Sequence, residues 1–382
     1  MLKPKKVTSV VTSMKTDCIH PIVRVRCLGA VAAALAALAV LAGCASPATG
    51  EPVDTKQAIF YPPPPDEPRL QYLTKFSTAL DLSTSSQGMR SLVFGGEEFE
   101  QQAVRKPYGL AVFEGAIYVV DTRGGGYVVF DLAKGRTRTV QGSGAGAMTK
   151  PINITIDTDG TRYITDTQRE IILVFDRHDR YQRALGAPGQ FRPVDVAIVG
   201  DRLYVTDIRH HQIHVLDKLS GDTLFTFGEA GSESSQLFHP TNLAVGPDET
   251  LYVTDTTNFR VQHFTLEGEF IREIGASGLG PGQFSRPKGV ALDREERIYV
   301  VDAAFENVQI LDFDGRPLTF FGGAGDGPGN INLPTAVKID YDEVEYFRKY
   351  AAPGFEIEYI VLVASQFGPN KVSVFGFGAM AD

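Results

Sequence analysis

The stretch RPKGVALDREERIYVVDAAFENVQILDFDGRPLTFFG, residues 286–322, decides the fold. It contains four short runs rich in apolar residues, KGVAL, IYVVD, VQILD and LTFFG, which are separated by the turn-forming segments DREER, AAFEN and FDGRP. Runs of this length bounded by Gly, Asp, Asn and Pro are typical of strands joined by tight turns. One unit is therefore predicted to be a four-stranded antiparallel sheet.

The same pattern recurs along the chain. The neighbouring copy is HPTNLAVGPDETLYVTDTTNFRVQHFTLEGEFIREIG, residues 239–275, and earlier copies begin KPYGLAV, KPINITI and RPVDVAI. The aspartate that ends the second run recurs at spacings of 45, 41, 48 and 47 residues: Asp121, Asp166, Asp207, Asp255 and Asp302. Sheets that cannot bury both faces alone pack radially against their neighbours, so the repeats predict a β-propeller.

A sixth, degenerate copy begins at residue 333 and supplies only three strands, with Ser365 roughly where the others place Asp. The segment RLQYLTKFS, residues 69–77, has the form of the missing outer strand, and SLVFGG, residues 91–96, is a rival. We predict an all-β, six-bladed propeller over residues 69–378, closed by an N-terminal strand that removes a free sheet edge, and a tail over 379–382. The insertion at 341–356 is either a partner surface or a short helix over the blade end.

The repeats resemble a known family. The pattern P-x-G-x-A-V-D, then IYVVD, then RVQxF and a final F-G, with the loops GLGPGQF (278–284) and GAGDGPGN (323–330), is similar to the NHL repeat. Together with the N-terminal features described next, the chain resembles bacterial NHL-repeat lipoproteins.

The N-terminal segment has the features of an export signal. An apolar run of 16 residues at positions 28–43 follows Arg24 and Arg26, and it is short for a membrane span. It ends in Leu-Ala-Gly before Cys44, which resembles a bacterial lipobox and implies cleavage and lipid attachment at that thiol. An ordinary secretory signal with an incidental cysteine is the alternative. The signal peptide would span 1–43, with a start at Met14 also open.

The expected location is outside the cytoplasm, on a membrane. Residues 44–68 contain PPPP and would form an extended, Pro-rich tether. Positions 45 and 46 carry no acidic retention signal, which favours the outer membrane, or a periplasm-facing position, in a cell with two membranes.

Composition excludes several classes of function. The three cysteines, Cys18, Cys27 and Cys44, all precede residue 45, which excludes a disulfide framework or a cysteine metal site in the repeats. Cleavage after residue 43 removes six of the 37 Lys and Arg residues and one of the 46 Asp and Glu residues, leaving a net charge of −14. Such a surface repels phosphate backbones, so nucleic acid is not an expected partner.

Candidate ligand-binding residues lie two positions after each opening proline, where the innermost strand begins. They are Gly109, Asn153, Asp195, Asn242, Gly289 and Ala336. The three polar ones, Asn153, Asp195 and Asn242, offer oxygen ligands of the kind that Ca²⁺ prefers, and gluconolactonase-like propellers use a similar axial site. The alternative is a polar channel mouth. The repeated aspartates are expected to bind backbone N–H groups instead.

Two further sets of side chains fall in loops. Basic residues after the second strand, Arg123, Arg169, Arg209 and Arg260, would either surround an anionic ligand or pair with acids of neighbouring blades. His210 or His211 would reach His239 and hold zinc, whereas His214 and His263 lie in strands and are expected to be structural.

No nucleophile elbow, HExxH motif or phosphate loop occurs in the sequence. The sequence therefore favours a noncatalytic lipoprotein that binds or scaffolds a protein, peptide or glycan in the cell envelope, with no cofactor other than a possible Ca²⁺. The alternative is a metal-dependent, lactonase- or lyase-like enzyme that uses the axial Asn153, Asp195 and Asn242.

Overall fold

Both faces of the second and third strands of each repeat are buried, and this decides how the sheets pack. In the strand Ala116–Asp121, Ile117 and Val119 belong to one hydrophobic cluster, while Tyr118 and Val120 belong to another. Because side chains alternate along a strand, each sheet contributes to two clusters, one on either side. This explains why the strands are continuously apolar rather than alternating.

The computed structural model describes residues 58–82 and 104–381. In chain order the first strands are β1 (Phe60–Tyr61), β2 (Leu70–Phe76), β3 (Pro107–Phe113), β4 (Ala116–Asp121), β5 (Gly126–Asp131), β6 (Arg136–Val140), β7 (Pro151–Ile156), β8 (Arg162–Asp166), β9 (Ile171–Phe175), β10 (Tyr181–Leu185), β11 (Pro193–Val199), β12 (Arg202–Asp207), β13 (Gln212–Asp217) and β14 (Thr223–Phe227). The remaining strands are β15 (Pro240–Val245), β16 (Leu251–Asp255), β17 (Arg260–Phe264), β18 (Phe270–Ile274), β19 (Ala276–Ser277), β20 (Gln283–Phe284), β21 (Pro287–Leu292), β22 (Ile298–Asp302), β23 (Asn307–Leu311), β24 (Pro317–Gly322), β25 (Asn332–Asp340), β26 (Phe355–Phe367) and β27 (Val372–Met380).

These strands form six blades. Blades 1 to 5 are the four-stranded sheets β3–β6, β7–β10, β11–β14, β15–β18 and β21–β24, and β19 pairs with β20 in the loop before blade 5. The innermost strand of each blade contacts that of the next, and β25 of blade 6 contacts β3 of blade 1, so the circle closes. Six hydrophobic clusters fill the six interfaces between neighbouring blades. The predicted six-bladed, all-β propeller is confirmed.

Blade 6 combines strands from both ends of the described chain. Its order is β1-β2-β27-β26-β25, and β2 pairs with β27 from Leu70 opposite Phe377 to Phe76 opposite Val372. Strand β1 lies in the segment expected to be a free tether, and the Phe60 ring lies 5.5 Å from that of Phe355. Within the described residues, blade 6 therefore includes a strand upstream of residue 69, because these aromatic side chains pack on the blade.

The insertion in blade 6 forms a short helix, α1 (Val344–Phe347), followed by a 3₁₀ turn (Arg348–Tyr350). Phe347 is fully buried, and the Gln71 side chain bonds the backbone of Tyr350 and Ala352. Of the two interpretations of this segment, the helix packed over the blade end fits these contacts. The other 3₁₀ turns are Ala79–Leu82, Gly144–Gly146 and Thr256–Asn258.

Several features of the sequence fall outside the described residues. They are the apolar run at 28–43, Cys44, most of the tether and the rival strand at 91–96. Within residues 58–82 and 104–381, no helix has the length and apolar character needed to cross a bilayer.

Replacing Phe76 with Ala tests how strongly β2 holds blade 6. Phe76 is fully buried, and its ring lies 5.5 Å from Phe130 and 6.2 Å from Phe347. We expect the free energy of unfolding, measured by urea denaturation, to fall by about 3–5 kcal/mol because a large cavity is created.

The matched control is Phe320→Ala, since that phenylalanine is 62% exposed on an outer strand. It should change stability by less than about 1 kcal/mol. Equal effects of the two substitutions would mean that β2 does not close the blade.

Candidate binding face

The opening proline of each first strand lies opposite the aspartate that ends the second strand. The pairs are Pro107 with Asp121, Pro151 with Asp166, Pro193 with Asp207, Pro240 with Asp255 and Pro287 with Asp302. Neighbouring strands are antiparallel, so the loops before the prolines and the loops after the aspartates share one end of the propeller. We call this end the proline face; it comprises residues 104–106, 122–125, 149–150, 167–170, 191–192, 208–211, 238–239, 256–259, 285–286, 303–306 and 333.

The strand-end aspartates hold this face together. Asp121 accepts backbone N–H bonds at 2.8–3.0 Å from Arg105, Lys106, Arg123 and Gly124, which lie on both loops of its blade. Asp302 and Asp166 accept the equivalent set in their blades. The expectation that these carboxylates bind backbone N–H groups is confirmed.

The three polar axial residues are buried and lie at the start of adjacent inner strands. Asp195 Oδ2 accepts the Leu243 N–H at 3.0 Å and the Asn242 Nδ2 at 3.4 Å, while its Oδ1 accepts the Val196 N–H at 2.8 Å. Asn153 Oδ1 accepts the N–H of Ile154. Of the oxygens in this trio, Asn242 Oδ1 has no hydrogen-bond partner within the described residues.

This arrangement fits a hydrogen-bonded cluster better than a calcium site. Burial raises the pKa of Asp195, and the positive charge of Lys338, which lies on the opposite blade, opposes that rise. Ca²⁺ takes six to eight oxygens, whereas both oxygens of the one carboxylate here already accept backbone N–H groups. An axial cation at Asn153, Asp195 and Asn242 stays a prediction.

The four arginines proposed from the sequence do not form a common binding surface. Arg260 is the first residue of β17 rather than a loop residue, and it is buried against Asp255 and Glu273. Arg209 pairs with Glu170 of the neighbouring blade, and Arg169 donates to the backbone carbonyls of Ala145 and Ala147. The side chain of Arg123 is exposed and has no partner among the described residues.

A different set of basic residues surrounds the centre of the proline face. The residue immediately before the opening proline is basic in five of the six blades, and Leu333 stands there in blade 6. We call these five residues the basic collar: Lys106, Lys150, Arg192, His239 and Arg286. No carboxylate lies within ion-pair distance of their side chains in the part of the chain that the structure describes.

On the opposite face, several basic residues form ion pairs with carboxylates. Arg177 pairs with Glu114, Arg202 with Glu267, Lys218 with Asp157 and Arg297 with Asp293. On the proline face, the aspartates beside the collar are already bonded to backbone N–H groups. Lys106 lies over the ring of Phe367 and His239 contacts Thr257, whereas the side chains of Lys150, Arg192 and Arg286 are free to contact an external anion.

A cavity of about 370 Å³ opens beside the collar, between the loops of blades 3, 4 and 5. Arg286, Lys288 and His239 line it together with Thr241 and Thr257. Burial and the nearby charge of Arg286 lower the pKa of Lys288 to about 8. A half-buried amine beside a second cation is stabilised in its charged form by an anion, so the cavity favours an acidic group.

Of the loop histidines expected to meet, His211 and His239 are in contact. His211 Nδ1 accepts the backbone N–H of His239, and the two rings lie 4.7 Å apart. No third metal-binding side chain joins this pair within the described residues. His263 is buried near Asp248 and Thr250, which agrees with a structural role.

The basic collar was missed although the sequence contains its signal. The repeats begin KP, KP, RP, HP and RP, and the proline marks the strand start, which makes the residues after it the expected axial positions. The position before the proline carries a basic residue in five repeats, but the residue type changes among Lys, Arg and His. The cavity beside the collar depends on how loops of three blades approach one another, and no motif carries that information.

Comparisons with known proteins agree on the fold. Residues 232–322 match a family model described as a 6-bladed beta-propeller. Over 200 residues the chain is 28% identical to the peptidylglycine alpha-amidating monooxygenase of Rattus norvegicus, a match that covers 47% of this chain and 19% of that protein. The chain thus spans about a fifth of the length of that relative.

Solved structures lead to the same conclusion. An auxiliary nutrient binding protein from Bacteroides thetaiotaomicron superposes with a TM-score of 0.54 at 16% identity, covering 73% of this chain and 71% of that one. A gluconolactonase from Xanthomonas campestris gives 0.53 at 15% identity, covering 84% and 97%. Enzymes and a binding protein share the architecture, so similarity at this level specifies the fold alone: the chain is a six-bladed β-propeller.

Proposed function

We propose that this protein is a noncatalytic binding module that presents its proline face to a carboxylate-bearing peptide or glycan of the cell envelope. The basic collar supports this function more than any other feature. Lys150, Arg192 and Arg286 are exposed and unpaired within the described residues, although the whole chain is acidic. Charges left without partners at a channel mouth favour the approach of an anion and orient it.

The anchor remains part of this proposal. A lipid on Cys44 would place the propeller at a membrane surface, with residues 45–57 as the connecting segment. The net negative charge of the mature chain opposes an extended phosphate backbone. The expected ligand instead presents a short run of carboxylates to the collar.

The enzyme alternative depends on the axial residues. A lactonase- or lyase-like reaction would require a cation at Asn153, Asp195 and Asn242. The hydrogen bonds that Asp195 accepts from Val196 and Leu243 argue against this. Hydrolysis of a lactone that requires added Ca²⁺ and disappears in Asp195→Ala would favour the enzyme over the binding module.

Removing collar charges should weaken binding of an acidic probe. We expect Lys150→Gln, Arg192→Gln and Arg286→Gln each to weaken binding of a hexaglutamate peptide by about fivefold, since one exposed ion pair contributes roughly 1 kcal/mol. Isothermal titration calorimetry at low salt measures the dissociation constants, and added NaCl should weaken the wild-type interaction.

Arg177→Gln on the opposite face is the matched control, because it removes the same charge from an exposed arginine paired with Glu114. It should leave the affinity unchanged. A galacturonate trimer used in parallel distinguishes a glycan from a peptide ligand. If the opposite-face substitution weakened binding as much as the collar substitutions, the proposed site would be wrong.

Binding should also weaken as the pH rises through about 8. In the free protein Lys288 has a lowered pKa of about 8, so it is protonated at pH 7 and largely neutral at pH 9. A bound anion favours the protonated amine and raises its pKa again; the affinity is therefore complete below pH 8 and is lost above it. We expect about tenfold weaker binding of hexaglutamate at pH 9 than at pH 7.

Lys288→Met keeps the side-chain length and removes the titrating group. Its affinity should be lower at pH 7 and nearly constant between pH 7 and pH 9. An unchanged pH profile in this variant would show that Lys288 does not contact the ligand.

A further inference from the structure

Blade 3 brings two imidazoles and a carboxylate together at the edge of the proline face. The donor atoms Asp207 Oδ2, His210 Nδ1 and His214 Nε2 all lie within 4.8 Å of one another. Asp207 ends β12, His210 lies in the following loop and His214 belongs to β13, so a single hairpin carries all three residues. No other group of three or more His, Cys, Asp or Glu residues has this geometry within the described residues.

In blade 4 the positions equivalent to His210 and His214 carry amide side chains. There the strand-end Asp255 accepts hydrogen bonds from the side-chain amides of Asn258 and Gln262. His210 stands at the repeat position of Asn258, and His214 stands at that of Gln262. Blade 3 therefore replaces two amide N–H donors, which bind no metal, with two side chains that bind metals well.

Backbone hydrogen bonds fix the carboxylate of Asp207 in place. Asp207 Oδ1 accepts the backbone N–H groups of Arg192 and Arg209 at 2.9 and 2.8 Å, which orients the group and leaves Oδ2 facing the imidazoles. The distances from Oδ2 are 2.6 Å to His210 Nδ1 and 3.1 Å to His214 Nε2.

The Nε2 atom of His214 faces the side chains of both Asp207 and Gln212. This atom lies 3.1 Å from Asp207 Oδ2, which requires a donor, and 3.0 Å from Gln212 Nε2, which requires an acceptor. One ring nitrogen is a donor or an acceptor, and not both. The other nitrogen, Nδ1, is buried and has no partner among the described residues. Rotating the Gln212 amide removes the conflict and directs its oxygen to the same point as Asp207 Oδ2, so that two oxygens and an imidazole nitrogen meet where a cation would bind.

The site is accessible from solvent. The side chain of His210 is 43% exposed, whereas those of Asp207 and His214 are 0% and 7% exposed. Two ligands are thus held by the blade, and the exposed side chain of His210 is the one that can move to give ligand–metal distances of about 2.0–2.2 Å.

We propose that Asp207, His210 and His214 bind one divalent transition-metal ion of the Zn²⁺ type, with Gln212 or water completing a four-coordinate shell. This replaces the zinc site expected from the sequence at His210 or His211 with His239. His214, expected to be structural, becomes a ligand because the turn after Asp207 returns β13 beside the carboxylate.

The test is titration of the metal-free full-length protein with Zn²⁺ by isothermal calorimetry, and with Co²⁺ by visible absorption. We expect one ion per chain, a dissociation constant in the micromolar range or below, and the intense absorption of four-coordinate Co²⁺. His210→Asn and His214→Gln restore the side chains that blade 4 carries, and each should weaken Zn²⁺ binding at least about 100-fold.

His178→Gln is the matched control, since His178 is exposed on the opposite face and should not affect binding. Unfolding of each metal-free variant confirms that it folds; if His214→Gln does not fold, the exposed His210→Asn still decides the question. Absence of stoichiometric Zn²⁺ binding by the wild-type protein, or equal binding by the His210 variant, would overturn the proposal.

Discussion

The hydrogen bonds between each strand-end aspartate and the backbone of two loops are the constraint on which the proline face depends. Asp121, Asp166 and Asp302 each join the segment before the opening proline to the turn after the second strand. A buried carboxylate is costly unless hydrogen bonds satisfy it, and these N–H groups do so. Asp207 does the same in blade 3, whereas Asp255 joins the Phe238 N–H to the side chains of Asn258 and Arg260. These contacts fix where the inner strands begin and therefore where the channel mouth lies.

The same clamps determine the charge of the face. A carboxylate that accepts three or four backbone N–H bonds is not available to pair with a neighbouring lysine or arginine. In blades 1, 2, 3 and 5 the residue before the opening proline is consequently held by its own backbone N–H. In blade 4 the His239 N–H bonds His211 Nδ1 instead. Blade 6 departs from this pattern: Ser365 replaces the aspartate, Glu306 accepts the Leu333 N–H instead, and no basic residue stands at the collar position.

The sequence was sufficient to predict the architecture because the repeat specifies strands, turns and their order. The four short apolar runs of each repeat predicted sheets that pack against one another, and the recurring Asp predicted the clamps. The start of the folded unit was harder to predict, since Phe60 and Tyr61 are held by ring contacts with Phe355 and Phe375 that are distant in sequence.

Site residues were predicted less well, for a physical reason. Arg169, Arg209 and Arg260 share a charge, but their partners are backbone carbonyls and acids that only the assembled blades bring near. The sequence predicts a structural role for His214 because strand residues of a propeller usually fill the core. Its contact with Asp207 depends on the antiparallel return of β13, which places Thr206 opposite Ile213 and Asp207 opposite Gln212.

The central claim is that the proline face binds acidic ligands through the basic collar. A crystal structure of the protein grown with hexaglutamate tests it most directly. The account predicts a carboxylate of the peptide within hydrogen-bond distance of Arg286 and Lys288 in the cavity between blades 3, 4 and 5. Peptide bound only at the opposite face, or a cavity that stays free of peptide at saturating concentration, would contradict it.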